Sequence, residues 1–301
     1  MNNEPLVSIA MCTYNGAAYL QQQMDTIVGQ SYKNIEIIII DDGSADETVQ
    51  ILQQYAASNS NIKLYQNQQN LGYVKNFEKA IGLCNGDYIA LADQDDIWSL
   101  DKIQQMVDEV GDAMLIYHDS ELVNDEGQNL GRMSNLINMY SGSSPLAFLF
   151  YNSVSGHSCM FRAELVPHLG SFNPKFYHDW WIAFVAANKG RVAFLDKLLV
   201  KYRQHQNANT DILRIRKIKS KQTRKIAELN LPWLAQCSTQ NGKCQQIINR
   251  ILRYCENKGS VNSLKLIILL FKHAKELFFL KKKSYTSKLN YIRKMVFQRR
   301  Y

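Results

Sequence analysis

The first half of the chain alternates short apolar runs with segments whose apolar residues recur at helical spacing. The β-branched run at residues 35–40 predicts a central strand that is covered on both faces. Such alternation is typical of the α/β class, in which crossover helices cover both faces of a mostly parallel sheet. The predicted strands are residues 7–12, 35–40, 62–66, 88–92 and 114–117, and the predicted helices are 17–30, 46–57, 74–83 and 100–110.

The pattern is less regular between residues 120 and 210. Here the sequence predicts a helix at 145–151, a short strand at 158–161, a helix at 180–188 and a strand at 192–195. A polar segment begins at Tyr202. Beyond residue 211 the pattern is helical throughout, with few turn signals.

Charge divides the chain at about the same point. Residues 1–210 hold 13 lysines and arginines against 23 acidic residues, whereas residues 211–301 hold 22 against 4. This asymmetry predicts two units, 1–210 and a basic helical region 211–301. The amino terminus has neither a basic segment nor a long apolar run, so the sequence predicts a cytoplasmic protein without a secretory signal.

Polar clusters follow three of the predicted strands. These are Thr13-Tyr14-Asn15, Asp41-Asp42 and the acidic segment Asp93–Asp96. In open sheets of this class, ligands bind where the strands end at their carboxyl edge. The three clusters therefore predict a single binding site at that edge.

The acidic segment Asp93-Gln94-Asp95-Asp96 places three carboxylates in four residues. A divalent cation such as Mn²⁺ or Mg²⁺ would offset their repulsion and would also bind phosphate oxygens. The alternative is a solvated loop in which Asp96 caps the next helix. Asp42 has two interpretations as well, since it can accept hydrogen bonds from a ribose or a base, or can shape a turn with Ser44.

Four segments together resemble the family-two glycosyltransferases. The resemblance covers residues 5 to about 210, and two downstream segments, HDWW at 178–181 and YRQH at 202–205, are similar to its rhamnosyltransferase-like branch in bacteria. The resemblance implies the GT-A fold, a Rossmann-like α/β arrangement, and the transfer of a sugar from a nucleotide diphosphate donor to an acceptor hydroxyl. The segments are VSIAMCTYNG (7–16), IIDDGSADET (39–48), NLG (70–72) and ADQDDIW (92–98).

The resemblance also implies a role for each matching residue. The nucleotide sugar would be bound by side chains of Thr13, Tyr14, Asn15, Asp42, Asp93 and Gln94, and Lys75 would reach the diphosphate or else face solvent. Asp95 would ligate Mn²⁺ or Mg²⁺, with His205 as a further ligand from a closing loop. Arg203 could offset charge on the diphosphate.

Asp179 is the candidate general base. Transfer with inversion needs a carboxylate that accepts the proton of the acceptor hydroxyl as that hydroxyl attacks the anomeric carbon. In the family this acid often follows a glutamate, whereas here His178 precedes it. The alternative is that Asp179 only caps the helix that follows.

The basic region contains one amphipathic segment between Asn262 and Lys283. Its predicted apolar face consists of Leu264, Ile267, Ile268, Phe271, Ala274 and Phe278. Together with Lys281, Lys282, Lys283, Arg293, Lys294, Arg299 and Arg300, it suits the anionic inner face of a membrane and an acceptor on a lipid carrier. A helical lid or an oligomer surface is the alternative.

Other functions fit the sequence less well. A Rossmann oxidoreductase or a nucleotidyltransferase needs a glycine-rich phosphate loop after the first strand, and Thr13–Ala18 contains one glycine. The acidic front half opposes nucleic-acid binding. A non-catalytic scaffold on the same fold remains the alternative to a polysaccharide-building transferase, and metal-dependent hydrolysis of a nucleotide sugar separates the two.

Overall fold

The fold is organised around one nine-stranded sheet. The computed structural model describes residues 4–205, 231–240, 242, 244–257, 259–282 and 284–297. Within these residues the strands are β1 (Val7–Thr13), β2 (Ile35–Asp41), β3 (Ile62–Gln66), β4 (Tyr88–Ala92), β5 (Ile97–Trp98), β6 (Leu115–Val123), β7 (Asn129–Arg132), β8 (Cys159–Arg162) and β9 (Val192–Arg203).

The sheet has a parallel half and a mixed half. Its strand order is β3-β2-β1-β4-β8-β6-β9-β5, with β7 paired to β6. The first four strands of this order are parallel, and β6 and β9 are also parallel to each other. The short strand β8 is antiparallel to both of its neighbours, β4 and β6. The carboxyl ends of β1, β2 and β4 consequently lie side by side at one edge.

Helices cover both faces of the sheet, as the sequence predicts. They are α1 (Ala17–Val28), α2 (Thr48–Ser58), α3 (Tyr73–Gly82), α4 (Lys102–Glu109), the short α5 (Val166–Leu169) and α6 (His178–Lys189). Alternate residues of β1 enter different cores: Ile9 and Met11 join Leu20 of α1, whereas Ala10 joins Phe77 of α3. Both faces of the sheet are thus covered by apolar side chains, which explains why β1 and β2 are largely apolar and do not alternate between apolar and polar residues.

The mixed half differs most from the sequence prediction. Strands β6 and β9 run well beyond the predicted residues 114–117 and 192–195, and they pair with each other with register shifts near Asp119. Polar residues such as His118 and Ser120 are buried on β6, so hydrophobicity alone could not mark its length. The predicted helix 145–151 is a 3₁₀ turn at Pro145–Phe148, and β5 and β7 were not predicted.

The described residues after 230 are helical, which confirms the prediction for that part of the region. The helices are α7 (Leu231–Cys237), α8 (Gln245–Glu256), α9 (Ser260–Lys272), α10 (Ala274–Leu277) and α11 (Tyr285–Phe297). The predicted boundary at 210/211 and the predicted basic residues Lys283, Arg299 and Arg300 lie outside the described residues.

Aromatic residues pack these helices against the part of the chain that forms the sheet and its covering helices. The indole of Trp233 lies 4.9 Å from that of Trp180 on α6, and its Nε1–H donates to the Leu149 carbonyl at 2.9 Å. Phe278 is buried and stacks on Phe150 with ring centroids 5.6 Å apart. The helical region therefore shares the core that lies between α3, α6 and the sheet.

The predicted apolar face of residues 262–283 is partly wrong. The segment is two helices that meet at His273, and α9 buries Leu266, Leu269 and Leu270. Leu264 and Ile268, which were expected to pack, are each 59% exposed. Because α9 carries leucine or isoleucine on nearly every side, periodicity could not identify the buried face. Among the described helices, none combines the length and apolar character required to cross a bilayer.

Replacing Phe278 with alanine should destabilise the whole chain. The side chain is buried between Phe150, Tyr151 and Tyr291, so its loss leaves a cavity that costs about 3–5 kcal/mol. Urea denaturation measures this change in the free energy of unfolding. Phe279→Ala, at the adjacent and 39% exposed position, is the matched control and should cost roughly 1 kcal/mol or less. Equal losses in the two variants would contradict this packing.

Candidate functional site

The loop after β1 is fixed by hydrogen bonds to the loop after β2. Thr13 Oγ1–H donates to Asp41 at 3.0 Å, and the Asn15 side-chain oxygen accepts the Ala45 N–H at 2.8 Å. Asn15 has a φ of 47°, in the left-handed region, which asparagine tolerates better than most residues. The Tyr14 side chain remains 49% exposed and lines a large cleft.

The two aspartates at the end of β2 have different environments. Asp41 accepts hydrogen bonds from the Gly43 and Ser44 amides, which closes the turn after the strand. Asp42 accepts from the Leu71 and Gly72 amides and from Asn67 Nδ2, at 2.8–2.9 Å, and it also lines the cleft. The turn-forming role expected as an alternative for Asp42 therefore belongs to Asp41. Asp42 holds the Asn70–Gly72 loop beside the cleft.

The acidic segment follows β4 at the same edge. The side-chain amide of Gln94 makes two hydrogen bonds with the Tyr14 backbone, accepting its N–H at 2.8 Å and donating to its carbonyl at 3.1 Å. Asp93 points into the cleft with 37% of its side chain exposed. The walls of the cleft nevertheless restrict the hydration of this carboxylate. Its pKa is raised to about 7, mainly by this burial and to a smaller extent by repulsion from Asp95 and Asp179.

The structure brings Asp95 and His205 together from positions 110 residues apart. His205 Nε2 lies 2.8 Å from Asp95 Oδ2, and both side chains are mostly buried at the cleft margin. The ring of Tyr19 packs 4.9 Å from that of His205. Carboxylate oxygen and imidazole nitrogen are both ligands for Mn²⁺-type ions, so the pair suits the predicted metal-binding role.

Arg203 does not face the diphosphate side of the cleft, contrary to the expectation. Its guanidinium is buried and donates to the Asp95 carbonyl, the Asp125 carbonyl and Gln22 Oε1 at 2.9–3.1 Å. The Arg203 amide also donates to Asp96 Oδ1. Arg203 thus joins the acidic loop to β9, two residues before His205.

A second cluster lies beneath the acidic loop and was not predicted. Ligand atoms of Asp93, Asp96 and His157 lie within 4.8 Å of one another, and Asp96 and His157 are buried. Asp96 Oδ2 has no hydrogen-bond partner among the described residues. Burial raises the pKa of Asp96 well above its usual range and lowers that of His157 to about 3.

Lys102 lies beside this cluster, and burial lowers its pKa well below the usual range, although Cys159, Asp96 and Asp93 act in the opposite direction. Its side chain is buried, with Nζ 2.7 Å from the His157 carbonyl and 3.1 Å from the ring centre of Trp98. Asp96 is fully buried and does not line the cleft, whereas Asp95 and His205 both do. The Asp95–His205 pair, which opens to the cleft, is therefore the better candidate metal site. Lys102 lies in a predicted helix and His157 in an irregular stretch, so no local sequence pattern indicated that either residue belongs to the site.

Asp179 lies in the first turn of α6 and lines the cleft. Asn152 Nδ2 donates to one of its oxygens at 3.2 Å and the Gly156 amide to the other at 3.1 Å. Burial raises the pKa of Asp179 to about 7, although the Trp180 and Gly156 amides act in the opposite direction. A carboxylate with this pKa is suited to act as a base near neutral pH. The N-cap position of α6 is Tyr177, so capping does not account for Asp179.

The cleft has a volume of about 1060 Å³ and two different walls. The loops after β1, β2 and β4 form one wall. Aromatic and polar residues form the other, namely Phe150, Tyr151, Asn152, Tyr177 and Trp180. His178 stacks on Phe77 with ring centroids 4.1 Å apart, and burial lowers its pKa to about 3.

Lys75, like Arg203, is absent from the described lining of the cleft. Its ammonium contacts Glu78 at 2.5 Å and Ser171 Oγ at 2.8 Å. The structure therefore favours the alternative expectation, a lysine on the outer side of α3. The other predicted residues, Thr13, Tyr14, Asn15, Asp42, Asp93, Gln94, Asp95, Asp179 and His205, all line the cleft.

Two solved structures of the GT-A fold share this architecture. The chain is similar to Staphylococcus aureus TarS 1–349 in complex with UDP-GlcNAc, with a TM-score of 0.60 and 16% identity over 97% of this chain and 88% of that one. It is equally similar to the mannosyltransferase PcManGT of Pyrobaculum calidifontis in complex with GDP-Man and Mn²⁺, with a TM-score of 0.58 and 16% identity over 99% and 87% of the chains. The protein therefore has the GT-A fold.

Sequence comparison defines the family within that fold. The family model described as Glycosyl transferase family 2 matches residues 8–170. An uncharacterised glycosyltransferase of Haemophilus influenzae is 31% identical over 227 residues, which cover 70% of this chain and 69% of the relative. The putative glycosyltransferase EpsE of Bacillus subtilis is 43% identical over 98 residues, 32% of this chain and 35% of EpsE. The chain belongs to glycosyltransferase family 2.

Replacing Arg203 with lysine should destabilise the protein although the charge is kept. Lysine cannot reproduce the planar set of donors, so the Asp95 and Asp125 carbonyls lose their partner at a cost of about 2–3 kcal/mol. Urea denaturation is again the measurement. The matched control is Arg191→Lys, at an exposed ion pair with Asp112, where the expected change is about 0–1 kcal/mol. An Arg203→Lys protein as stable as the control would show that these contacts contribute little.

Proposed function

We propose that the protein is an inverting glycosyltransferase that moves a sugar from a nucleotide diphosphate donor to an acceptor hydroxyl. The observation that carries this proposal is the shared cleft. Loops from three parallel strands, the Asp95–His205 pair and the carboxylate of Asp179 all line it. A scaffold protein would not require a base and a metal-ligand pair to converge on one cavity.

The donor is proposed to be a UDP- or dTDP-sugar bound along the strand-end wall. Thr13, Tyr14, Asn15 and Asp42 would surround the base and ribose, because their loops border the cleft together. Asp93 and Gln94 would lie beside the ribose and the donor sugar. The nucleotide sugars in the TarS and PcManGT structures support a donor of this class.

Mn²⁺ or Mg²⁺ would be held by Asp95 and His205. When bound, the ion would stabilise the negative charge that develops on the leaving diphosphate. The donor set fits such an ion, since it combines one carboxylate with one imidazole and both residues line the cleft. Mn²⁺ is present in the PcManGT complex, which supports the choice of metal class.

Asp179 is proposed to accept the proton of the acceptor hydroxyl. The acceptor oxygen forms a bond to the anomeric carbon as the bond from that carbon to the diphosphate breaks, and the proton passes to Asp179. Attack from the side opposite the diphosphate inverts the anomeric configuration. Asn152 and the Gly156 amide hold the carboxylate in place for this step.

The acceptor is proposed to be a saccharide, either free or attached to a lipid carrier. Phe150, Tyr151, Tyr177 and Trp180 line the cleft as well, and aromatic rings pack well against sugar rings. A role in bacterial surface polysaccharide synthesis at the inner face of the cell membrane would follow. The putative teichuronic acid biosynthesis glycosyltransferase TuaG of B. subtilis, 35% identical over 107 residues, supports this setting.

Asp95→Ala should abolish metal-dependent turnover while the protein stays folded. A panel of UDP-, dTDP- and GDP-sugars is incubated with the enzyme and Mn²⁺, and release of the nucleoside diphosphate is measured. We expect a loss of about a hundredfold or more, because metal stabilisation of the leaving group is worth several kcal/mol. A chelator should have the same effect on the wild type, and Lys75→Ala, outside the cleft lining, should have little effect.

Two results would contradict the proposal. If no nucleotide sugar is turned over by the wild type, the scaffold alternative is favoured. If Asp95→Ala keeps full turnover with an unchanged Mn²⁺ dependence, the metal is not held by this residue.

The pH dependence of transfer should report Asp179. A base acts only when deprotonated, so kcat/KM should rise about tenfold per pH unit below about 7 and level off above it. Asp179→Asn should lower kcat by about 10²- to 10⁴-fold, with a much smaller effect on the KM of the donor. Retention of the same acidic limb in a residual Asp179→Asn activity would assign the titration to another group.

A further inference from the structure

Helix α9 exposes a ridge of apolar side chains, formed by Val261, Leu264 and Ile268. Their exposed fractions are 63%, 59% and 59%. Their spacing of three and four residues places them on one face of the helix. The opposite face buries Leu266, Leu269 and Leu270 in the core, so the ridge is directed outward from the protein.

Lysines border this ridge. Lys265 and Lys272 are exposed, and each follows a ridge residue by four positions, which places them along one edge of the same face. The sequence of α9 contains no acidic residue, and residues 231–301 contain 15 lysines and arginines against 2 glutamates. The exposed surface of α9 thus combines apolar side chains with lysines along one edge and contains no acidic side chain of the helix.

We propose that this face of α9 binds the surface of an anionic lipid bilayer. A helix with leucine and isoleucine on one side and lysine at its border lies in the plane of the membrane interface, with the apolar side chains below the headgroups. Lysines at that level contact the negative headgroups. The 13-residue helix is too short to cross a bilayer, so α9 would attach to one leaflet.

A second copy of the chain fits this face less well. Pairing two α9 ridges would bring Lys265 and Lys272 of both copies together, and like charges in contact oppose association. Three side chains also supply only a fraction of the roughly 800 Å² that each partner buries in a stable complex. A negatively charged lipid surface attracts these lysines, and it does not require a large buried protein–protein interface.

Attachment through α9 would have a consequence for the cleft. The next segment contains Phe278, which packs against Phe150 and Tyr151 in the aromatic wall. If the proposed transfer uses a lipid-linked acceptor, the aromatic wall would contact that acceptor. Phe278, in the segment directly after α9, supports this wall by packing against it. This consequence rests on the proposed function, whereas bilayer binding by α9 does not.

Vesicle co-sedimentation of the full chain tests the proposal. The probes are phosphatidylcholine vesicles with and without phosphatidylglycerol. Wild-type protein should bind the anionic vesicles and bind the neutral ones weakly. The double variant Leu264→Gln/Ile268→Gln should lower the partition coefficient by about tenfold or more, and Lys265→Gln/Lys272→Gln should lower it on anionic vesicles alone. Added salt should reproduce the second effect.

The matched control is Lys197→Gln/Leu198→Gln. Both residues are exposed on β9, far along the chain from α9, and this variant should bind as the wild type does. Equal binding by the control and the Leu264/Ile268 variant would overturn the proposal, as would the absence of wild-type binding to anionic vesicles. A dimer in solution that the Leu264/Ile268 variant dissociates would also overturn it, because a second copy would then occupy the ridge.

Donor hydrolysis without vesicles is measured on the same proteins. All of these variants should hydrolyse donor at the wild-type rate, since none of their side chains lines the cleft. Inactivity of the wild type contradicts the proposed function and leaves the vesicle result standing. Loss of hydrolysis confined to the Leu264/Ile268 variant would indicate a disturbed fold. Circular dichroism and urea denaturation then decide whether this variant is folded, and its vesicle binding bears on the proposal only if it is.

Discussion

Repulsion among four carboxylates is the constraint on which the site depends. Asp93, Asp95 and Asp179 line one cleft, and Asp96 is buried beneath it. Burial raises the pKa of Asp93 and of Asp179 to about 7, and for Asp93 repulsion from Asp95 and Asp179 adds to this effect. Part of this charge is offset within the protein. The Arg203 guanidinium holds the loop by its backbone, and Lys102 is buried below the loop, where burial favours its neutral amine. The remaining uncompensated charge faces the cleft, where a cation and a pyrophosphate would meet it.

The sheet topology determines which residues can meet at this point. Strand β5 begins directly after the acidic loop and pairs antiparallel with the end of β9, with Ile97 opposite Lys201. Extending that register places Arg203 opposite Asp95, which explains the hydrogen bond between them. It also brings His205 to the Asp95 carboxylate, although the two residues are 110 positions apart in the chain. A two-residue strand therefore aligns both metal-ligand candidates. A shift in the β5–β9 register would separate the pair without altering either residue.

The sequence predicted those parts of the site that consist of contiguous strand-and-loop segments. Thr13, Asp42 and Asp95 each follow an apolar run, so their convergence could be inferred from the parallel topology alone. Lys102 and His157 could not be found in this way, because their importance arises from burial next to Asp96, which no local pattern encodes. The buried face of α9 was missed for a different reason. Leucine and isoleucine occur around most of that helix, so only tertiary packing distinguishes Leu266 from Leu264.

The two walls of the cleft have different structural origins. The strand-end wall is built within residues 8–170, which the family model matches. Side chains fix its loops by accepting backbone N–H groups, with Gln94 bonded to Tyr14 and Asp42 bonded to Leu71. The aromatic wall depends on Trp233 and Phe278, which lie beyond that match and pack behind Trp180 and Phe150. Changes in the helical region can therefore reshape the aromatic wall while the strand-end wall keeps its geometry. If the strand-end wall binds the donor and the aromatic wall the acceptor, as proposed, such a chain would keep one class of donor and still adapt to different acceptors.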